Sequence, residues 1–236
     1  MMTEDLMTLC KQLHISGIYE FFKEQEVNDP VLYGFLTDAC QYELNVRIMN
    51  RQSKILKQAD FPTQKRFDDL QLEYFPDDGK SAIPTLQNLG FVKEHRNVIL
   101  IGNSGTGKTH LAIATGVWAC RQNLKVLFRT AAGLVNELVE AKRQSNVTPF
   151  MKQMKKVDLL ILDELGYITF DLEGAELLFQ LLAARYETMS TLITSNLPLS
   201  EWVRVFHDKS LTAALLDRIT HKAMILNMNG PSYRRR

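Results

Sequence analysis

The chain has 236 residues, enough to bury a full core, and one medium domain with a small appendage is expected rather than one large domain. Its 45% hydrophobic and 23% charged residues match ordinary globular proteins and exclude a disordered or fibrous class. Lys plus Arg number 28 against 27 Asp plus Glu, so the net charge of +1 argues neither for nor against an anionic partner, and only local clustering can speak to one.

Three cysteines, Cys10, Cys40 and Cys120, stand far apart with no Cys-x-x-Cys pair, which argues against a zinc site and a disulfide framework. No uninterrupted apolar run approaches the roughly 18 to 20 residues that span a bilayer, and the Met1 to Asp5 start is acidic rather than basic. The expectation is a soluble protein of the reducing cytoplasm, without membrane contact.

Residues 1–60 lack strand-like alternation and carry apolar residues at helical spacing, broken at Gly17 and at Asn28-Asp29-Pro30, so a small all-helical domain is predicted. Within it, Leu44, Ile48, Ile55 and Ala59 would form one buried helix face. Arg47, Arg51, Lys54 and Lys57 fall on another side of the same helix, with no acid between the first and the last. Such a stripe could follow phosphates of duplex DNA without reading sequence, although the residues alone slightly favour an ordinary solvated face. No aromatic residues interleave with it, which disfavours a single-strand stacking platform.

Residues 61–96 contain Pro62, Pro76, Pro84, Gly79, Gly90 and the cluster Asp77-Asp78-Gly79, the punctuation of a linker and domain entrance. From 97 to 236 the pattern changes. Short apolar runs at Val98–Ile101, Val126–Phe128, Leu159–Leu162, Thr191–Thr194 and Ala223–Leu226 alternate with helical segments, which predicts an α/β three-layer sandwich with a parallel sheet.

Between the first of those strands and the helix His110 to Gln122 lies Gly102-Asn103-Ser104-Gly105-Thr106-Gly107-Lys108-Thr109, a P-loop. Its glycines let backbone N–H groups turn inward around phosphates, and the helix N-terminus adds partial positive charge. Residues 102 to 110, ending on His110, are the expected ATP contacts. Lys108 would bridge the β- and γ-phosphates, and Thr109 would hold Mg²⁺ through its hydroxyl. Leu159-Leu160-Ile161-Leu162 ends in Asp163-Glu164, a Walker B pattern in which Asp163 serves the Mg²⁺ shell and Glu164 polarises the attacking water. Asn196, at the tip of a later strand, is the candidate sensor of the γ-phosphate. For an arginine finger reaching a neighbouring subunit's nucleotide, Arg218 is preferred and Arg185 is the alternative.

These residues resemble the IstB-type transposition helper ATPases, relatives of the DnaC-type helicase loaders within the AAA+ superfamily. The resemblance covers nearly the whole chain. It runs through Leu13-His14-Ile15-Ser16-Gly17, Phe61-Pro62, Phe67-Asp68-Asp69-Leu70, Gly107-Lys108-Thr109-His110-Leu111-Ala112 and Leu162-Asp163-Glu164-Leu165-Gly166-Tyr167. It continues through Ile193-Thr194-Ser195-Asn196, Leu216-Asp217-Arg218-Ile219-Thr220-His221 and Gly230-Pro231-Ser232-Tyr233-Arg234. It implies an AAA+ ATPase domain at 97–236 that binds ATP and Mg²⁺. It also implies ATP-dependent homo-oligomerisation on duplex DNA and regulation of a partner transposase, and it favours the DNA reading of the basic stripe. No C-terminal helical lid is visible, so a lid-borne second sensor is not expected, and whether Arg234 touches nucleotide stays open. The alternatives are a replicative helicase loader gripping a helicase ring, and a small-molecule kinase, for which neither an acceptor pocket nor an arginine lid is visible.

Overall fold

The computed structural model describes residues 5–25 and 29–232. The chain divides into two compact units, residues 1–54 and 55–236.

In the first unit, α1 (Leu6–Gln12), α2 (Ser16–Glu24) and the first part of the long α3 (Pro30–Gln58) close around Leu6, Leu9, Leu13, Phe22 and Cys40. Each large apolar side chain buried there contributes roughly 1.5–3 kcal/mol, a small core for a small unit. Cys10 and Cys40, distant in sequence, meet in this core. Burial first, and the Cys40 thiol second, push the Cys10 thiol upward.

The predicted buried face of α3 proves to be divided. Leu44 packs at the edge of the first core, and Ile55 and Ala59 are buried in the second unit's core. Ile48 belongs to neither and is 39% exposed, so its expected burial is corrected: α1 and α2 cover only the earlier turns of α3.

In the second unit, residues 61–96 carry two 3₁₀ turns, α4 (Asp77–Asn88) and α5 (Gly90–Lys93). Phe75, Ala82, Leu86, Leu89, Phe91 and Val92 of this stretch are buried in the unit's main core, and Pro84 lies inside α4. The Pro and Gly punctuation that suggested a linker accompanies a packed layer.

The remaining elements alternate: β1 (Val98–Ile101), α6 (Lys108–Arg121), β2 (Val126–Thr130), α7 (Ala131–Arg143), α8 (Val147–Met154) and β3 (Leu159–Leu165). After them come α9 (Leu172–Arg185), β4 (Ser190–Ser195), α10 (Val203–Phe206), α11 (Lys209–Thr220) and β5 (Met224–Asn227). The five strands are parallel in the order β2-β3-β4-β1-β5. Their side chains alternate between two cores, as the two-residue repeat of a strand requires. Val98, Leu100, Leu159, Ile161 and Leu192 face the α4 and α6 layer, while Ile99, Leu160, Leu162 and Ile193 face α7, α9 and α11. Both faces are covered, which is why the strands are almost uninterruptedly apolar. The α/β three-layer sandwich with a parallel sheet is therefore observed. Among the described residues, no helix is long and apolar enough to cross a membrane.

Candidate active site

Because the strands are parallel, their C-terminal ends share one edge of the sheet, and the order puts β4 between β1 and β3. In open α/β sheets this edge is where ligands bind. The loop from Gly102 leaves β1 there and turns into α6. Gly107 has φ +93°, and a Cβ on it would stand 2.5 Å from Cε2 of the buried Phe75, so both backbone angle and space require glycine. At Gly102 a Cβ would collide with the Met228 backbone. The loop is thus held between Phe75 and the segment after β5, neither of which stood out as a site element in the sequence. Asn229 adds a direct bond, its Oδ1 accepting from the Asn103 N–H at 3.0 Å.

Within the loop, Thr106 Oγ1 donates to the Asn103 carbonyl at 2.9 Å. The largely buried Lys108 donates through Nζ to the carbonyls of Gly102 and Asn103, both at 2.7 Å. Its ammonium therefore sits within the curve of the loop, the position from which a phosphate oxygen can be met. Asn103 and Ser104 are exposed, Gly105 has φ +80°, and His110 Nε2 lies 3.2 Å from the Arg66 carbonyl.

Thr109 Oγ1 lies 3.0 and 3.1 Å from the two Asp163 carboxylate oxygens, across 54 residues of sequence. Asp163 is 3% exposed. A carboxylate and a hydroxyl are hard oxygen donors, and Mg²⁺ commonly takes one or two carboxylates plus nucleotide phosphates and water. The pair fits that ion. No cluster of three or more His, Cys, Asp or Glu able to hold a metal exists among the described residues.

Asp163 and Glu164 owe their separation to an irregularity in the sheet. Register runs Leu162 to Ile193 and resumes Leu165 to Ser195, so two residues of β3 oppose the single Thr194 of β4. This is a β-bulge, rare between parallel strands and frequent beside active sites. Glu164 takes the left-handed φ of +61°, and its side chain is exposed at the sheet edge while Asp163 stays buried. Thr194 Oγ1 fills the bulge, accepting from the Glu164 N–H at 3.0 Å and donating to Asp163 Oδ1 at 2.6 Å. Sequence reasoning passed over Thr194 because threonine is an ordinary strand former. The cue in the sequence was its place in the family segment Ile193-Thr194-Ser195-Asn196.

Asn196 follows β4 directly and is exposed, with its Oδ1 beside Gly166 in the turn after Glu164. Arg218, on α11, donates to the Ala214 carbonyl at 3.1 Å, and its guanidinium lies 5.4 Å over the Phe179 ring. It does not meet the P-loop of its own chain in any described contact.

Arg185 is corrected. It is 1% exposed at the end of α9, where Nη1 donates to the Met154 carbonyl at 2.6 Å and Nη2 to the Ser190 carbonyl at 2.7 Å. Burial pulls it down to about 10, with Asp158 opposing. Ser190 begins β4, so Arg185 ties the edge opposite the P-loop and cannot reach a neighbour's nucleotide.

On α3, Arg51, Lys54 and Lys57 are exposed and enter no ion pair among the described residues. Arg47 differs, pairing with Glu43 at 2.7 Å and donating to the Leu13 carbonyl at 2.9 Å. Arg234 lies outside the described residues.

The sequence matches the family profile "IstB-like ATP binding protein" over residues 8–236. A Pseudomonas aeruginosa protein named for insertion sequence IS21 and ATP binding is 38% identical over 98% of this chain and 88% of its own length. Its counterpart named for IS232, from Bacillus thuringiensis subsp. berliner, is 34% identical over 94% and 87%. In three dimensions the DnaC helicase loader superposes with a TM-score of 0.53 at 22% identity, over 64% of this chain and 92% of its own, which speaks for the fold. Profile, near full-length relatives and shared architecture together make this chain a member of the IstB-like ATP-binding protein family.

Proposed function

We propose that the chain is an ATP-hydrolysing helper of transposition: with ATP and Mg²⁺ it assembles on duplex DNA, and hydrolysis regulates a partner transposase. The observation that carries the reading is the meeting of Lys108, Thr109 and Asp163 at the sheet edge, with Glu164 alongside. The insertion-sequence names of the relatives supply the biological setting.

In this reading Lys108 leaves the loop carbonyls for the β- and γ-phosphates. Thr109 and Asp163 would hold Mg²⁺, which would supply positive charge against the phosphates. Glu164 accepts a proton from the attacking water, and Asn196 orients that water or senses the γ-phosphate. Arg218 of a neighbouring copy stabilises the transferring phosphoryl group. The exposed cations of α3 hold the DNA backbone.

The test uses purified protein, ATP, Mg²⁺ and duplex DNA at low salt. Glu164→Gln is expected to trap an ATP-bound assembly on DNA, and Lys108→Ala to abolish nucleotide-dependent DNA binding. Absence of duplex binding by the wild-type chain with ATP would sink the DNA half of the reading. The likeness to the DnaC helicase loader keeps one rival in view. Recovery of a replicative helicase but no transposase in a pull-down, with single strands preferred over duplex, selects that rival.

A further inference from the structure

We infer that Thr194 is a positioning residue for the metal-nucleotide centre, setting Asp163 for Mg²⁺ and Glu164 for water through one hydroxyl. The inference rests on the ATPase reading above and assigns a role within it.

The geometry leaves little else for this hydroxyl to do. Thr194 is buried, 1% exposed, on the central strand β4. Its Oγ1 accepts one hydrogen bond, from the Glu164 amide, and spends its only proton on Asp163 Oδ1. Both partners lie in the two-against-one bulge, the place where the β3–β4 ladder cannot supply ordinary backbone pairing. Without the hydroxyl, the Glu164 N–H loses its acceptor and the left-handed backbone at Glu164 loses its anchor.

Thr109 also donates to Asp163 in this structure. Were Thr109 and Asp163 to hold Mg²⁺ together, the Thr109 hydroxyl would serve as a ligand rather than as a donor to the carboxylate. Thr194 would then remain a side-chain donor to Asp163 Oδ1 and hold the carboxylate in place. Partners of this kind, one step behind a metal ligand, typically change metal affinity or activity by about 10- to 100-fold when removed.

The same hydroxyl links the acid that carries the metal to the acid that activates water, and Thr194 lies two residues before Asn196 on the strand between Walker A and Walker B. A shift of β4 would therefore move all three together.

The experiment measures the affinity of a fluorescent ATP analogue in EDTA and in Mg²⁺, alongside turnover against Mg²⁺ concentration. Thr194→Val keeps the shape and removes the hydroxyl. Its affinity in EDTA is expected within about threefold of wild type, with the Mg²⁺-dependent gain and kcat each reduced by about 10-fold or more. Thr194→Ser keeps the hydroxyl and should restore both. Thr194→Ala replaces the valine variant if that chain fails to fold, judged by circular dichroism. A valine variant with the wild-type Mg²⁺ response, or a serine variant as impaired as valine, overturns the inference. A wild-type chain whose nucleotide affinity ignores Mg²⁺ overturns the site reading and this inference with it.

Discussion

At the C-terminal edge of the sheet, Thr109, Asp163 and Thr194 come from three separated segments and share one hydrogen-bonded cluster, with Lys108 beside it bonded to the loop carbonyls. On α3, four cations come from a single helix, and three of them are exposed and enter no ion pair among the described residues. The first region is specified by the fold: each polar group has a partner, because an unpaired group there costs about 1–3 kcal/mol. The second is specified by sequence spacing alone. Phosphate contacts demand charge and reach rather than fixed geometry, so solvent exposure there is compatible with function. Damage to the first region should therefore be large and local to one reaction step, and damage to the second small and graded.

The largest effect belongs to the residue that tests whether the sheet edge is complete within one chain. Arg218 leans on Phe179 and its own helix, and meets no described group of its own P-loop. If it completes a neighbour's site, Arg218→Ala lowers kcat in the DNA-bound assembly by about 10³-fold or more while nucleotide affinity changes little. Phosphate release under single-turnover conditions reads this directly. Wild-type turnover in that variant would mean that the edge works without a second copy's arginine.

Which parts of this site were legible follows from the same contrast. The P-loop and Walker B pair stood out because phosphate and metal chemistry fixes residue types at fixed spacing, and the parallel strands stood out because burial on both faces leaves only apolar runs. Thr194 stood in a family segment without a role, since its importance comes from a register shift that brings a bulge opposite it. Arg185 was ambiguous for the converse reason. A buried arginine and a reaching one look alike in sequence, and only the Met154 and Ser190 carbonyls distinguish them. In residues 61–96 the prolines did not reveal the packing: one sits inside α4, and Phe75 packs against the P-loop.

Arg185 gives the next effect in size, and it lands on stability. Arg185→Ala strands two buried carbonyls and opens a cavity, so a loss of about 3–5 kcal/mol is expected, read as a lower urea midpoint. Nucleotide affinity of the folded variant should stay near wild type, because the lost contacts lie at the opposite edge of the sheet. A variant with unchanged stability but lost turnover would return Arg185 to the chemistry.

The smallest effects test the helix. Each cation that neutralises one DNA phosphate releases counterions, and its removal should reduce the slope of log affinity against log salt by about 0.9. Arg51→Ala, Lys54→Ala and Lys57→Ala are each expected to give that reduction, equally for unrelated duplex sequences, with folding stability within about 0.5 kcal/mol of wild type. Arg47→Ala should divide its effect differently. Its guanidinium already serves Glu43 and the Leu13 carbonyl, so part of what it does is to hold α3 against the end of α1. A smaller change in slope and a stability loss of about 1 kcal/mol are expected, since the carbonyl bond is partly buried and the ion pair is exposed. If all four variants left the slope unchanged, the stripe would be an ordinary solvated face. The DNA contact would then have to be sought on the ATPase unit, where the buried site and the DNA surface would share one fold.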